Sequence, residues 1–302
     1  MSLEILKKYK IKAKKSLWQN FLVNDEIVEE IADTIDVEWK NIVEVGPGYW
    51  ALTEKLITRK PKSLNLVELD IDMIEILENR IENGDFDIGE IDFHINNIDV
   101  LKYAPIPTPI SNIVEETEYK YSVIANIPYY ITSPILRHFL YDLKIKPQNM
   151  VILMQKDVAD KILLGQDFWM ENEELKSPLI RGYPMGGALV NKNKKMKSSV
   201  LSLFVAKKCY VDEVILVWKQ NFIPAPKVES SVLLFEMHDL YKNVDDYNFL
   251  ELIKKWFREP RKMLMRNLLN AWYDKNLIIQ CFDELLIDHN IRWEDLNIYI
   301  WC

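Results

Sequence analysis

The tetrapeptide Asn126-Ile127-Pro128-Tyr129 carries the sharpest chemical meaning in this 302-residue chain. An amino group on an aromatic ring is a weak nucleophile, because its lone pair is delocalised into the ring. A side-chain amide oxygen on Asn126 and the backbone carbonyl of Ile127 can accept its two N–H bonds. The lone pair is then turned toward an electrophilic carbon. Pro128 fixes the backbone, and Tyr129 offers a face on which an extruded base stacks. No strong general base is required, since the proton can leave after the new bond forms. The structural alternative is a strand followed by a proline turn and a buried tyrosine.

Three further segments could hold a nucleoside. Glu44-Val-Gly-Pro-Gly-Tyr49 follows one apolar run and precedes a helical pattern, so Gly46 and Gly48 allow a tight turn and close approach to a ligand. Alone this is a weak signal. The next apolar run ends in Glu68-Leu69-Asp70, an acid placed about 20 residues on to accept ribose hydroxyls. Asn-Asn-Ile-Asp99-Val100 closes the third, where Asp99 can accept from an adenine amino group. The joint pattern predicts one crevice along the carboxyl edge of a sheet.

The elements that must position these residues are legible. Segments 41–45, 64–69, 92–95, 121–125 and 150–154 are short β-rich runs. Helical spacing falls between them, over 51–58 and at Met73, Ile74, Ile76, Leu77 and Ile81. Ser133 before Pro134 predicts a helix start. This alternation predicts a parallel sheet covered on both faces. Segments 211–217 and 230–237 have no helix between them and predict an antiparallel hairpin at one sheet edge. Residues 165–198 are polar and Lys-rich and are expected to be a long insertion. From about 240 the pattern is helical, with Phe249, Leu250, Ile253, Trp256, Phe257, Leu264, Leu268 and Leu269 on apolar faces.

Composition narrows the function class. No apolar stretch is long enough to span a bilayer, and the basic N-terminus lacks the apolar core of a secretory signal. Cys209, Cys281 and Cys302 are too widely spaced for a disulfide framework or a metal site, and four scattered histidines add none. A reducing cytoplasm is expected. The net charge of −8 argues against a generic nucleic-acid binder. Its distribution does not: residues 1–15 hold six lysines, 254–266 hold six basic groups, and Lys192, Lys194, Lys195 and Lys197 cluster, while ten carboxylates crowd 68–92. Local patches can bind a polyanion despite the global sign.

These motifs, in this order, resemble those of the ribosomal RNA adenine dimethyltransferases. Segments 14–23, 44–53, 68–70, 97–101, 126–136, 222–233 and 257–268 carry the likeness. It implies an α/β fold: a Rossmann-like S-adenosylmethionine methyltransferase sheet with an antiparallel hairpin at one edge, plus a small C-terminal helical domain. The implied division is 1–238 for the methyltransferase domain and 239–302 for a helical RNA-binding domain. S-adenosylmethionine is the implied cofactor, with Asn20, Leu22, Gly46, Gly48, Glu68, Leu69, Asp99, Val100 and Asn126 as its site. Asn126, Ile127, Pro128, Tyr129 and Phe222 are the implied catalytic set, Tyr129 and Phe222 sandwiching the target base. Lys227 is implied to make an RNA or structural contact. The variant closest in pattern acts on two adjacent adenines of the 3′-terminal hairpin of 16S rRNA in the immature small subunit. A monomer without metal or membrane is expected. The alternatives are a large-subunit rRNA adenine methylase and a nonenzymatic ribosome-assembly factor; a nicotinamide oxidoreductase would leave Asn126–Tyr129 without a role.

Two departures from that family stand out. Trp18 and Trp50 occupy positions where it has glycine or a small residue, and an indole at 50 is expected to crowd the methionine end of the cofactor. The chain has eight glycines and nine tryptophans, where average usage would give about 21 glycines. A lineage reading UGA as glycine would account for both facts, with Trp218 and Trp256 as further candidates.

Overall fold

The computed structural model describes residues 2–85, 87–105, 119–164, 199–256, 262–284, 287–292, 296, 298 and 302. The polar insertion 165–198, with its lysines, lies outside them, as does 257–261 of the downstream basic run. The described chain falls into two compact units, Met1–Ala159 with Asp212–Met237, and Asp160–Val211 with His238–Cys302.

Nine strands are described: β1 (Phe21–Leu22), β2 (Asn41–Val45), β3 (Ser63–Glu68), β4 (Asp92–Asn97), β5 (Tyr121–Asn126), β6 (Asn149–Gln155), β7 (Cys209–Val217), β8 (Phe222–Ile223) and β9 (Ser230–Met237). Seven of them form one sheet in the order β4-β3-β2-β5-β6-β9-β7. β2 pairs in parallel with β3 and β5, β3 with β4, and β5 with β6. The apolar runs dictate this: Ile42, Val43, Val123, Ile124, Val151 and Ile152 have no exposed surface, as strands covered on both faces require. From β2 the chain builds outward through β3 and β4, then returns to β5 on the other flank of β2. That reversal opens a crevice beyond the carboxyl ends of β2 and β5.

Helices follow the strands as expected, over Ala51–Thr58 and Ile71–Glu82. Asp70 caps the second, its side chain accepting from the Asp72 N–H at 3.1 Å. Asn24 caps the helix Asp25–Asp33 in the same way. The start expected at Ser133 is corrected. A 3-10 turn, Tyr129–Ile131, leads into the helix Thr132–Arg137, whose N-cap is Ile131. Winding therefore begins directly after Pro128, and Pro134 sits in the first helical turn, where its missing N–H has no intrahelical role.

The expected hairpin strands β7 and β9 are neighbours at one edge, with β9 inside and antiparallel to β6. Between them the chain detours through β8, which pairs antiparallel with β1, placing Phe222 opposite Leu22 and Ile223 opposite Phe21.

The second unit holds the helices Val200–Ala206, Asp246–Trp256, Leu264–Asn270 and Lys275–Glu284. Phe249, Leu250, Ile253, Leu264 and Leu268 are buried in it, whereas Leu269 is exposed. Its anchor is Lys207, 2% exposed, whose ammonium donates to Asp246 and to the Val244 carbonyl and lies 5.3 Å from the Phe249 ring centre.

Candidate active site

A cavity of roughly 340 Å³ opens at the carboxyl ends of β2 and β5. Every site residue expected from the sequence lines it. Asn20 and Leu22 come from the N-terminal segment, Gly46 and Gly48 from the turn after β2, and Glu68 and Leu69 from the end of β3. Asp99 and Val100 follow β4, Asn126 to Tyr129 follow β5, and Phe222 begins β8.

The parallel register explains the floor of this cavity. Val45 pairs with Ala125, so Gly46 and Asn126 leave the sheet side by side. A Cβ at Gly46, where φ is +69°, would stand 3.0 Å from the Asn126 carbonyl oxygen. Only glycine accommodates both the backbone angle and the approach.

Glu68 is buried, and backbone donors hold both its oxygens: Gly48 N–H at 3.2 Å and Asp70 N–H at 2.8 Å. Burial raises its pKa, against which these N–H groups act. Asp99 accepts from the Leu101 N–H at 3.0 Å, which fixes its carboxylate at the cavity edge. Tyr129 is half-buried and its hydroxyl shares a 2.7 Å hydrogen bond with Ser230. Desolvation holds that phenol above its ordinary pKa, so it is neutral. Phe222 is 3% exposed and packs in the main apolar cluster while lining the cavity.

Four features were not foreseen. Glu44, in the middle of β2, is fully buried and also reaches the cavity. Neither of its oxygens has a hydrogen-bond partner of good geometry. Burial pushes its carboxyl up to about 8; the nearby Thr53 hydroxyl opposes this, and the charge of Glu68 adds to it. Its position within an apolar strand was the available signal. Tyr49 is buried, its hydroxyl donates to the Leu22 carbonyl, and its ring meets Phe21 edge-on at 5.5 Å. The glycine turn is thereby tied to β1. Asp70 does a similar job for the preceding segment, binding the Lys14 ammonium at 2.5 Å and the Gln19 amide at 2.9 Å. Finally, Trp18 lines the mouth beside the exposed Tyr130, their ring centres 6.3 Å apart.

The expectation that Trp50 crowds the cofactor is corrected. Its indole is fully buried in the apolar core, 5.9 Å from the Arg80 guanidinium, and is absent from the cavity wall. A left-handed backbone at residue 50 turns the side chain away from the opening.

The acceptor set suits a hydroxylated nucleoside. Carboxylates stand at the ends of β3 and β4, and Gly46 permits close backbone approach. Among the described residues no cluster of His, Cys, Asp and Glu could hold a metal ion, and no helix is long and apolar enough to cross a membrane.

Known proteins resemble this chain. Ribosomal RNA small subunit methyltransferase A of Mycoplasma mobile is 32% identical over 288 residues, 95% of each chain. The protein of the same description from Prochlorococcus marinus is 32% identical, covering 95% of this chain and 93% of its own. A dimethyladenosine transferase from Plasmodium falciparum has the same fold, with a TM-score of 0.67 at 20% identity over 93% of this chain and 94% of that one. The pattern that defines ribosomal RNA adenine dimethylases matches residues 10–168 and 188–297. It spans the glycine turn, the acidic strand ends and the Asn126 segment alike, and the chain belongs to that family.

Proposed function

We propose that this chain transfers methyl groups from S-adenosylmethionine to N6 of two adjacent adenines in the 3′-terminal hairpin of 16S rRNA, in the immature small subunit. The observation that carries the reading is the placement of Asn126 beside Gly46 at the base of one cavity. Family membership and the names of the relatives support the substrate. It works in the cytoplasm as a monomer.

S-adenosylmethionine supplies an electrophilic methyl group on a sulfonium sulfur. In this proposal Glu68 takes the ribose hydroxyls and Asp99 the cofactor adenine. Asn20, Leu22, Gly46, Gly48, Leu69 and Val100 form the walls. Asn126 and the Ile127 carbonyl accept the two N–H bonds of the target amine and orient its lone pair. Tyr129 and Phe222 flank the extruded base, and Pro128 holds the turn. The helical segment 239–302 supplies RNA contacts with the basic residues of 254–266, so binding weakens with salt. Because Trp50 lies outside the cavity wall, the ground for a nonenzymatic reading is removed.

Labelled methyl transfer to under-methylated small subunits, followed by mass spectrometry of rRNA nucleosides, tests this. N6,N6-dimethyladenosine in 16S rRNA is expected. Label confined to 23S rRNA, or none, overturns it.

A further inference from the structure

The tryptophans of this chain are distributed over backbone conformations that tryptophan rarely adopts. Six have a described backbone: Trp18, Trp39, Trp50, Trp218, Trp256 and Trp272. Four of the six are left-handed, with φ of +52° at Trp18, +56° at Trp39, +69° at Trp50 and +68° at Trp272. Only a few per cent of non-glycine residues do this, and the cost is steric, between Cβ and the following carbonyl. Every described glycine, Gly46, Gly48, Gly84 and Gly89, is left-handed too.

Two places make the comparison within one molecule. The helix Ile71–Glu82 ends at Asn83, and Gly84 follows with φ +70°. Gly84 N–H donates to the Ile81 carbonyl and Asp85 N–H to the Arg80 carbonyl. The helix Leu264–Asn270 ends at Ala271, and Trp272 follows. Trp272 N–H donates to the Leu269 carbonyl and Tyr273 N–H to the Leu268 carbonyl. Both are the same six-residue helix stop, whose left-handed position favours glycine. In one a glycine fills it; in the other an indole stands 95% exposed with nothing to pack against. In the cofactor turn, residues 46, 48 and 50 are all left-handed, as Gly, Gly and Trp. Lys10 and Lys60 also occupy left-handed positions, so geometry alone does not exclude a side chain. The concentration in tryptophan is what calls for a cause.

Packing does not account for the pattern as a whole, although Trp50 fills part of the apolar core and Trp18 meets Tyr130. Trp18 and Trp39 are 65% and 70% exposed, and the buried Trp50 leaves its indole N–H without a partner. Trp218, at φ −70°, and Trp256, ending a helix, are not left-handed.

We propose that residues 18, 39, 50 and 272 are glycines in the protein as its own cells make it, each encoded by UGA. UGA differs by one base from the tryptophan codon UGG and by one base from the glycine codon GGA. One altered glycine tRNA therefore reassigns it, and translating the same gene with UGA as tryptophan writes indoles at all four sites. The turn after β2 then carries glycine at every one of its left-handed positions.

Codons 18, 39, 50 and 272 and the peptide masses of protein isolated from its own cells test this directly. UGA codons and peptides lighter by the tryptophan–glycine difference are expected; UGG codons, or tryptophan in the native peptides, overturn it. The backbone argument has its own test in the chain as written, at two positions away from the cavity. Trp39→Gly and Trp272→Gly should each melt about 2–4 °C above the matching alanine variant, which also lacks the indole but keeps Cβ. Equal midpoints for glycine and alanine overturn the backbone argument.

Discussion

Replacing Glu44 by glutamine isolates the cost of a carboxyl group enclosed in the sheet. Its folded pKa is about 8 against an ordinary 4.5, so the folded chain keeps a proton that the unfolded chain releases. Ionisation therefore counts against folding from about pH 4.5 upward, and the loss is complete above about pH 8. At 1.36 kcal/mol per unit, the full penalty is about 5 kcal/mol. It amounts to roughly 1 kcal/mol at pH 5 and roughly 3 kcal/mol at pH 7. Glutamine has the same shape and no charge to lose. Its own burial cost is constant across pH and drops out when the two chains are compared at several pH values. Urea unfolding of both chains at pH 5, 6, 7 and 8 should show glutamine gaining about 2 kcal/mol on glutamate between pH 5 and pH 7. A difference that stays flat across that range would refute the claim that burial governs this group. Thr53 and Glu68 are the polar neighbours that modify the curve, and Thr53→Val, which removes a group that lowers this pKa, should carry the rise to higher pH at the same limiting slope.

Asn126→Ala should lower methyl transfer at least about 100-fold while the affinity for S-adenosylhomocysteine, read by calorimetry, falls far less; unchanged turnover would remove the assigned role. Asp70→Ala leaves Lys14 with Asp72 as its remaining partner, frees the Gln19 amide nitrogen and removes a helix cap. It should cost about 1 kcal/mol of stability through the cap and weaken S-adenosylhomocysteine binding about 10-fold, with the turnover of bound substrate little changed. A loss of turnover at saturating cofactor would place Asp70 in the chemistry instead.

Much of this molecule is local in origin and so was legible in its order of residues. Fully buried parallel strands write themselves as short apolar runs, and Ile42–Val45, Leu64–Val67 and Val151–Leu153 lie where those runs lie. Strand ends carrying Gly46, Glu68, Asp99 and Asn126 point to one sheet edge because parallel strands all end on the same side. What needed the folded chain was every relation between distant segments. β8 joins β1 across about 200 residues, Asp70 clamps Lys14 and Gln19, and Tyr49 reaches Leu22. Glu44 reads as one polar letter in an apolar strand, and its neighbours decide that it is buried without a partner. Trp50 was misjudged for the same kind of reason: sequence states the size of a side chain, whereas the sign of φ, set by the turn and the packing around it, decides which way it points.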